Sequence, residues 1–432
     1  MIKNTGNRRK RKGGSSRIQG TVHPRTNIMQ QRLLHTPEGV RDLYGEEFEK
    51  KKAIQEKVLH LLSLYGYHEI QTPTFEFFDI FSREIGTTPS RELYKFFDRE
   101  GNTLVLRPDM TPSIARCASK YYMEEELPIR FSYLGNTFLN GGSLQGRLKE
   151  TTQIGAELIG DASVDADAEL IAFVIQALLA CGCRDFQVSI GQVEVFKGLA
   201  EEAGLSEETE YALREKISNK NIIAAEALLE EAGVEEKRKK AFLKIPELFG
   251  GLDRILEIQN MSEQERVHHA LKRLKELYEI LKYYQVERYI TFDLGLLSKY
   301  NYYTGITFQA YTYEVGEPIA KGGRYDTLLS HFGKDSAAVG CTIQIDQLLL
   351  ALIRQKNEIE TAKKERILLY QKEARKEAIL AAANYRKNGE RVELILMAED
   401  KTIEDYLAFA KRNGVEKLGI IHMDGTEEGR TV

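Results

Sequence analysis

Two long strand-like segments joined by a short polar loop constrain the fold of this chain most strongly. Residues 129–138 and 149–159 both have the character of strands, and a glycine-rich loop at 140–147 separates them. Strands connected so closely pair antiparallel, because a parallel pair needs a crossover connection of a dozen or more residues. The segment therefore predicts an antiparallel sheet.

Helical and strand-like segments share most of the remaining chain. Apolar residues recur at helical spacing over residues 46–65 and 165–180, and residues from about 195 to 284 are rich in Glu, Lys, Leu and Ala at the same spacing. Strand signals lie before and after that helical stretch, at 186–190, 289–293, 305–313 and 339–345. The pattern predicts an α+β fold, an antiparallel sheet flanked by helices, with a helical insertion at about 195–285.

The chain divides into three parts by composition. Residues 1–31 hold a run of basic residues and very few apolar ones, which predicts a disordered basic leader; a nucleic-acid-binding patch is the alternative. Residues 32–355 form the predicted core. Residues 365–432 contain three short apolar strands separated by two helical stretches. This order predicts a small C-terminal α/β domain with a parallel sheet.

The composition argues against several classes of protein. A net charge of −4, from 61 basic and 65 acidic residues, gives no global attraction to nucleic acid or membrane. No apolar run reaches about 18 residues, so we expect no transmembrane helix. The 4 cysteines form no CxxC pair, which fits a reducing cytoplasm. No zinc motif, Walker A loop or other cofactor signature occurs, so we expect neither metal nor cofactor.

Six separated segments resemble, in order, the histidyl-tRNA synthetase family of class II aminoacyl-tRNA synthetases. They are TPEGVRD at 36–42, YHEIQTPTFE at 67–76, LRPDMT at 106–111, the stretch 131–160, YYTG at 302–305 with GGRYD at 322–326, and the stretch 338–350. The resemblance covers about residues 33–355. It implies a class II synthetase-like sheet for the core and a shortened anticodon-binding domain at the C-terminal end.

The chain departs from this family at three positions where the resemblance implies an arginine. They are Leu139, Ser298 and Gln347. Arginine suits nucleotide chemistry because its guanidinium group matches phosphate geometry and stays charged. Loss of one preorganised donor typically costs about a hundred- to thousand-fold in rate. The three neutral residues therefore predict that the chain does not form an adenylate, and no residue is assigned a catalytic role.

The amino-acid-binding positions, by contrast, keep their polar side chains. By resemblance, Asp109, Thr111 and Gln153 hold the α-amino group of histidine, because a cation prefers carboxylate, hydroxyl and amide oxygens. Glu157 and Tyr303 match positions that bind the imidazole, and Tyr302 is a further candidate. Gly322, Gly323 and Arg324 match a backbone wall of the same pocket.

Each of these residues also has a structural interpretation. Gln153 and Glu157 are four residues apart on a predicted strand, so they share one face, and a solvated sheet face gives the same pattern. Tyr302 and Tyr303 taken alone are typical of core or cross-strand packing.

A histidine pocket without catalytic arginines resembles the family of ATP phosphoribosyltransferase regulatory subunits, which are non-catalytic. The resemblance implies a homodimeric core and a separate short-form catalytic subunit as partner, acting at the first step of L-histidine biosynthesis. L-histidine would be the effector, and no tRNA is expected. One alternative is a divergent histidine–tRNA ligase. Another is a tRNA- or nucleic-acid-binding module that uses the basic leader and the C-terminal domain.

Overall fold

The strand pair predicted at residues 129–159 is present and lies within the largest sheet. In the computed structural model, which describes residues 34–81, 88–141, 148–297, 302–361 and 366–432, strands Ile129–Phe138 and Glu150–Ile159 pair antiparallel over their full length. Ile129 lies opposite Ile159, and Phe138 lies opposite Glu150. The predicted leader at 1–31 lies outside the described residues.

Sixteen strands lie within the described part of the chain. In chain order they are β1 (His68–Glu69), β2 (Phe75–Phe77), β3 (Lys95–Phe97), β4 (Thr103–Leu106), β5 (Ile129–Phe138), β6 (Glu150–Ile159), β7 (Phe186–Gln192), β8 (Phe249–Gly250), β9 (Ile290–Asp293), β10 (Ile306–Thr312), β11 (Ala320–Arg324), β12 (Ala338–Gln344), β13 (Arg366–Tyr370), β14 (Val392–Leu396), β15 (Lys417–Ile421) and β16 (Glu427–Thr431).

Nine of these strands form one sheet in the order β1-β5-β6-β12-β11-β10-β7-β9-β8. Its central pairs are antiparallel, whereas β1 pairs with β5 and β7 pairs with β9 in parallel. The predicted α+β class is confirmed, and the sheet is mixed because of these two parallel pairs. A separate three-stranded sheet has the order β2-β4-β3.

Twelve α-helices accompany the strands among the described residues. They are α1 (Gly45–Leu64), α2 (Thr111–Tyr121), α3 (Val164–Ala180), α4 (Val193–Glu202), α5 (Glu207–Ser218), α6 (Ile222–Glu231), α7 (Glu236–Lys244), α8 (Leu252–Ile255), α9 (Glu265–Tyr283), α10 (Ile345–Arg354), α11 (Arg375–Lys387) and α12 (Ile403–Arg412). The segment from α4 to α9 is largely helical, as the sequence predicts for about 195–285. The domain boundaries themselves stay a prediction.

One face of the nine-stranded sheet packs against helices and forms the main core. Alternate residues of β6, namely Ile154, Ala156 and Leu158, are fully buried there in one cluster with apolar residues of α1, α3 and α10. Because side chains alternate across a strand, the intervening residues of β6 point to the other face. That second face carries the polar residues considered below.

The C-terminal residues form a four-stranded sheet in the order β14-β13-β15-β16. The first three strands are parallel, as the predicted βαβαβ order requires. Strand β16 was not predicted; it pairs antiparallel with β15, with Gly429 opposite Gly419. Its sequence, EEGRT, carries no apolar side chain, so it has no hydrophobic strand signal. In the described ranges no helix is long and apolar enough to span a membrane.

Candidate functional site

The candidate site lies on the second face of the nine-stranded sheet, where three strands bring small residues into register. Glu157 of β6 lies opposite Gly340 of β12, and Gly340 lies opposite Gly323 of β11. A Cβ atom added to Gly340 would lie 1.7 Å from Oε2 of Glu157. One added to Gly323 would lie 2.6 Å from the ring of Tyr303. The two glycines therefore leave the space that these side chains occupy.

Glu157 is the buried acid of the site, with 1% of its surface exposed. The Thr111 hydroxyl donates a hydrogen bond to Oε1 at 2.9 Å, and the Tyr325 hydroxyl donates one to Oε2. Burial raises the pKa of Glu157 to about 8, since the charged form loses its hydration; the two hydrogen bonds oppose this shift and the nearby Asp109 adds to it. Burial thus favours the protonated form of Glu157.

Asp109 is the second carboxylate, and it is only partly buried. It lies in the turn between β4 and α2. The Tyr302 hydroxyl donates to its Oδ2 at 3.1 Å, and the Thr111 backbone N–H lies 3.4 Å from its Oδ1. The rings of Tyr302 and Tyr303 pack together with centroids 4.8 Å apart. These contacts fix a solvent-accessible carboxylate beside two aromatic rings.

These groups surround a cavity of about 280 Å³ that opens to solvent. Its described lining consists of Asp109, Thr111, Tyr133, Tyr302, Tyr303, Lys321, Gly322, Tyr325, Gly340, Cys341 and Thr342. The lining combines one carboxylate, one ammonium group and several phenols, a set suited to a small zwitterion.

Four of the six residues predicted from the sequence therefore line the cavity, namely Asp109, Thr111, Tyr302 and Tyr303. Glu157 lies directly behind the lining, bonded to Thr111 and Tyr325. Gln153 is not among the described lining residues. Its Nε2 donates to the Thr137 hydroxyl at 3.0 Å, and its Oε1 accepts from Thr342 at 3.4 Å. Gln153 thus reaches the cavity only through Thr342.

The alternative that Gln153 and Glu157 lie on a solvated sheet face is wrong. They share one face of β6, as their four-residue spacing predicts, but only 6% of Gln153 and 1% of Glu157 is exposed. Tyr302 and Tyr303 are buried as packing predicts, and both also line the cavity. Their two interpretations are therefore compatible.

The Arg324 side chain points away from the cavity, although its backbone belongs to the segment that the sequence predicts as a backbone wall of the pocket. Its Nε donates to Oδ1 of Asp167 at 2.8 Å, and Arg273 of α9 donates to Oδ2 of the same carboxylate at 2.6 Å. The period-two alternation of β11 explains this direction, because Gly323 occupies the cavity face and the next side chain points to the other face. Arg324 instead anchors β11 to α3 and α9.

Sequence analysis missed Tyr133, Lys321 and Thr342 as cavity residues. Tyr133 lies opposite Gly155, two positions from Glu157 on the same face, so strand register would have found it. Thr342 lies opposite both Gly155 and Lys321. Lys321 immediately precedes the predicted GGRYD segment, but a lysine beside such a segment has no signal that separates it from a surface lysine.

Leu139 and Gln347, two of the positions where the sequence lacks an arginine, are not among the described lining residues. Leu139 follows β5 and is 39% exposed, and Gln347 is a partly buried residue of α10. Ser298 lies outside the described residues. Within the described ranges no group of three or more His, Cys, Asp or Glu side chains could hold a metal ion.

Comparison with known proteins places this arrangement in a family. The family model for histidyl-tRNA synthetase matches residues 39–348. A relative from Acetivibrio thermocellus, named ATP phosphoribosyltransferase regulatory subunit, is 40% identical over 89% of this chain and 92% of its own length.

Two solved structures show a similar fold. A crystal structure of an ATP phosphoribosyltransferase regulatory subunit/histidyl-tRNA synthetase from Bacillus halodurans has a TM-score of 0.78 at 33% identity, covering 88% of this chain and 96% of the other. Histidyl-tRNA synthetase from Nostoc has a TM-score of 0.75 at 19% identity, covering 92% and 97%; this likeness concerns the fold alone.

Proposed function

We propose, on the premise that this chain belongs to the ATP phosphoribosyltransferase regulatory subunit family, that it binds L-histidine in the cavity described above and passes that signal to a separate catalytic subunit. The role is regulatory rather than catalytic, as the names of the relatives state. The catalytic partner would be the short form of ATP phosphoribosyltransferase, acting at the first step of histidine biosynthesis in the cytoplasm.

The α-amino group of histidine would lie beside Asp109. An ammonium group prefers carboxylate and hydroxyl oxygens, and Asp109, Thr111 and the Tyr302 hydroxyl lie together at the cavity. Asp109 is the accessible one of the two carboxylates, so it can meet a charged ligand without complete loss of hydration. Gln153 would contribute through its hydrogen bond with Thr342.

The imidazole would lie between Tyr303 and the Glu157 carboxylate. The carboxyl group of Glu157 keeps acceptor lone pairs whether or not it is protonated, so it can accept a hydrogen bond from an imidazole N–H beside its bonds with Thr111 and Tyr325. A buried polar group that needs such a partner discriminates strongly against apolar side chains, because they would leave it unpaired.

The single observation that carries the proposal is the buried Glu157, bonded to Thr111 and Tyr325, behind a solvent-open cavity that Asp109 and Lys321 line. Burial of an acidic side chain without an ionic partner is costly, and a site for a basic heterocycle gives this one a binding role. The alternative of a divergent histidine–tRNA ligase is not favoured, because Leu139 and Gln347 provide no charge for a polyphosphate.

A homodimer is the proposed state of the core. The three-stranded sheet β2-β4-β3 carries Phe75, Phe77 and Phe97, each at least half exposed, and Phe96 is 38% exposed. An exposed cluster of aromatic side chains is typical of an interaction surface. Light scattering of the purified chain is expected to give the mass of two copies, and a monomer at micromolar concentration would count against a homodimer.

The experiment that tests the function mixes this chain with a short-form catalytic subunit and titrates L-histidine while the condensation of ATP with phosphoribosyl pyrophosphate is measured. We expect the catalytic rate to change on addition of the chain and again on addition of histidine. By linkage, the catalytic subunit must also change the histidine affinity of the chain. An unchanged rate in both steps would contradict the proposal.

A further inference from the structure

A free amino acid brings two opposite charges into any site that binds it. The ammonium group of histidine has a counterpart in Asp109, whereas its carboxylate needs a donor or a cation of its own. Without one, the site would bind an imidazole amine that lacks the carboxylate equally well, because it would gain nothing from the extra charge. Recognition of the carboxylate therefore decides whether the cavity selects an amino acid.

Lys321 is the single positively charged residue among the described residues that line the cavity. It lies on β11, two residues before Gly323 on the same face, with Thr342 opposite on β12 and Gln309 opposite on β10. Lys321 also lines the adjoining cavity of about 240 Å³, which it shares with Tyr303 and Gly322. Its side chain is therefore at the boundary between the histidine cavity and the space beside it.

The surroundings of Lys321 strengthen a charged contact. The residue is partly buried, and its cavity neighbours Gly322, Cys341 and Thr342 carry no charge. A charge-assisted hydrogen bond in such a place is roughly twice as strong as a neutral one, and it is screened less by salt than a surface pair. Asp109 and Lys321 reach the cavity from different elements, the turn before α2 and strand β11. The cavity thus has one group of each sign, as a zwitterion requires.

We propose that Lys321 binds the carboxylate of the amino acid and gives the cavity its preference for histidine over imidazole amines and alcohols. This inference rests on the proposed histidine site. It assigns a specificity-determining role to a residue of β11 that no sequence motif marks. Leu139 and Gln347, where the family resemblance implies arginines, are neutral, so Lys321 is the candidate cation among the described cavity residues.

The test is calorimetry of the full chain with two ligands, L-histidine and L-histidinol. Histidinol keeps the imidazole and the amine but carries an alcohol in place of the carboxylate. The wild-type chain is expected to prefer histidine by about tenfold or more. In Lys321→Met, which keeps the length of the side chain, the preference should fall to about twofold or less, while the affinity for histidinol stays unchanged.

Three further variants complete the design. Lys321→Arg keeps the charge and is expected to keep most of the preference, and Lys321→Gln provides a second neutral variant if the methionine variant does not fold. Lys197→Met is the matched control, because Lys197 is a partly buried lysine on α4, where it pairs with Glu194 at 3.8 Å outside the cavity lining. It should retain the wild-type preference.

The outcomes separate this inference from the proposed function. Equal wild-type affinities for the two ligands, or an unchanged preference in the neutral variants, would overturn the role of Lys321 and leave the histidine site standing. A wild-type chain that binds neither ligand would overturn both. A lost preference together with an unchanged histidinol affinity in Lys321→Met would support the inference, since a collapsed pocket would lose both ligands together.

Discussion

The region around Glu157 and the region around Leu139 lie along the same pair of strands, β5 and β6, but their charged side chains are arranged differently. Around Glu157, two carboxylates and one lysine lie at or behind a cavity. Near the other end of the pair, Leu139 is neutral, and the charges of Lys51 and Asp346 are paired with each other at 2.7 Å. The Thr152 N–H and hydroxyl complete that pairing.

Charged side chains thus have two roles around this sheet, lining a cavity at one end and forming an ion pair at the other. At the cavity, the charged side chains of Asp109 and Lys321 line a space that opens to solvent. At the other end, Lys51 pairs with Asp346 and donates a hydrogen bond to Thr152, so its ammonium group is poorly placed to bind a phosphate. The comparison predicts that changes at the cavity alter histidine binding, whereas changes at Leu139 and Gln347 do not.

The largest effect is expected for Gly340→Ala. The new methyl group would lie 1.7 Å from Oε2 of Glu157, so either the strand or the carboxylate must move. Histidine affinity should fall at least about tenfold, and the free energy of unfolding should fall by about 1–3 kcal/mol. Calorimetry measures the histidine affinity, and urea unfolding measures the free energy of unfolding. Gly429→Ala is the control, because that glycine has open space around its Cβ position. Equal losses of histidine affinity and of unfolding free energy in the two variants would contradict a specific role for Gly340.

The next effect is expected for Glu157→Ala. The change removes the acceptor of Thr111 and Tyr325 and leaves an imidazole nitrogen unpaired, which should weaken histidine binding by about 1–3 kcal/mol. Glu150→Ala is the matched control on the same strand, where Glu150 accepts from Asn136 at 2.7 Å outside the cavity. Wild-type affinity in a folded Glu157→Ala chain would remove this residue from the site.

A smaller effect is expected in the pH dependence of stability. Because burial raises the pKa of Glu157 to about 8, the folded chain keeps this proton between the ordinary value of 4.5 and about pH 8 while the unfolded chain has released it. The associated stability is therefore full below pH 4.5 and is lost as pH rises through 8, on the order of 1 kcal/mol per pH unit. Unfolding of wild type and Glu157→Gln should diverge in slope across this window; parallel curves would mean that Glu157 is ionised in the folded chain.

The smallest effect is expected for Gln347→Arg and Leu139→Arg. These positions lie outside the cavity lining, so histidine affinity should change less than about twofold. The variants should also remain without histidine-dependent exchange of pyrophosphate into ATP, because two restored charges do not reconstitute a preorganised site. Exchange above the wild-type background in the double variant would sharpen the comparison by showing that charge alone separates the two regions.

Part of this arrangement follows from local sequence patterns. The two strand-like segments within 129–159 predict the antiparallel pair because the loop between them is too short for a parallel crossover. Asp109 and Thr111 follow from a motif that fixes them on one turn, and Tyr302 and Tyr303 from another. In each case residues close in sequence determine the result.

The remainder depends on residues that are distant in sequence. The lining role of Lys321 depends on its pairing with β10 and β12, and Gln153 reaches the cavity only through Thr342, which is 189 residues away. Strand β16 forms by backbone pairing with β15, so its side chains carry no hydrophobic signal. Such features depend on sheet register, which a single sequence does not specify across long separations.

The central claim is that the cavity beside Glu157 binds L-histidine, whereas the region around Leu139 does not bind nucleotide. Calorimetric titration of L-histidine into the purified chain, without nucleotide or partner, measures this at the cavity. The account predicts saturable binding at one site per chain. Absence of saturable heat at millimolar histidine would contradict it.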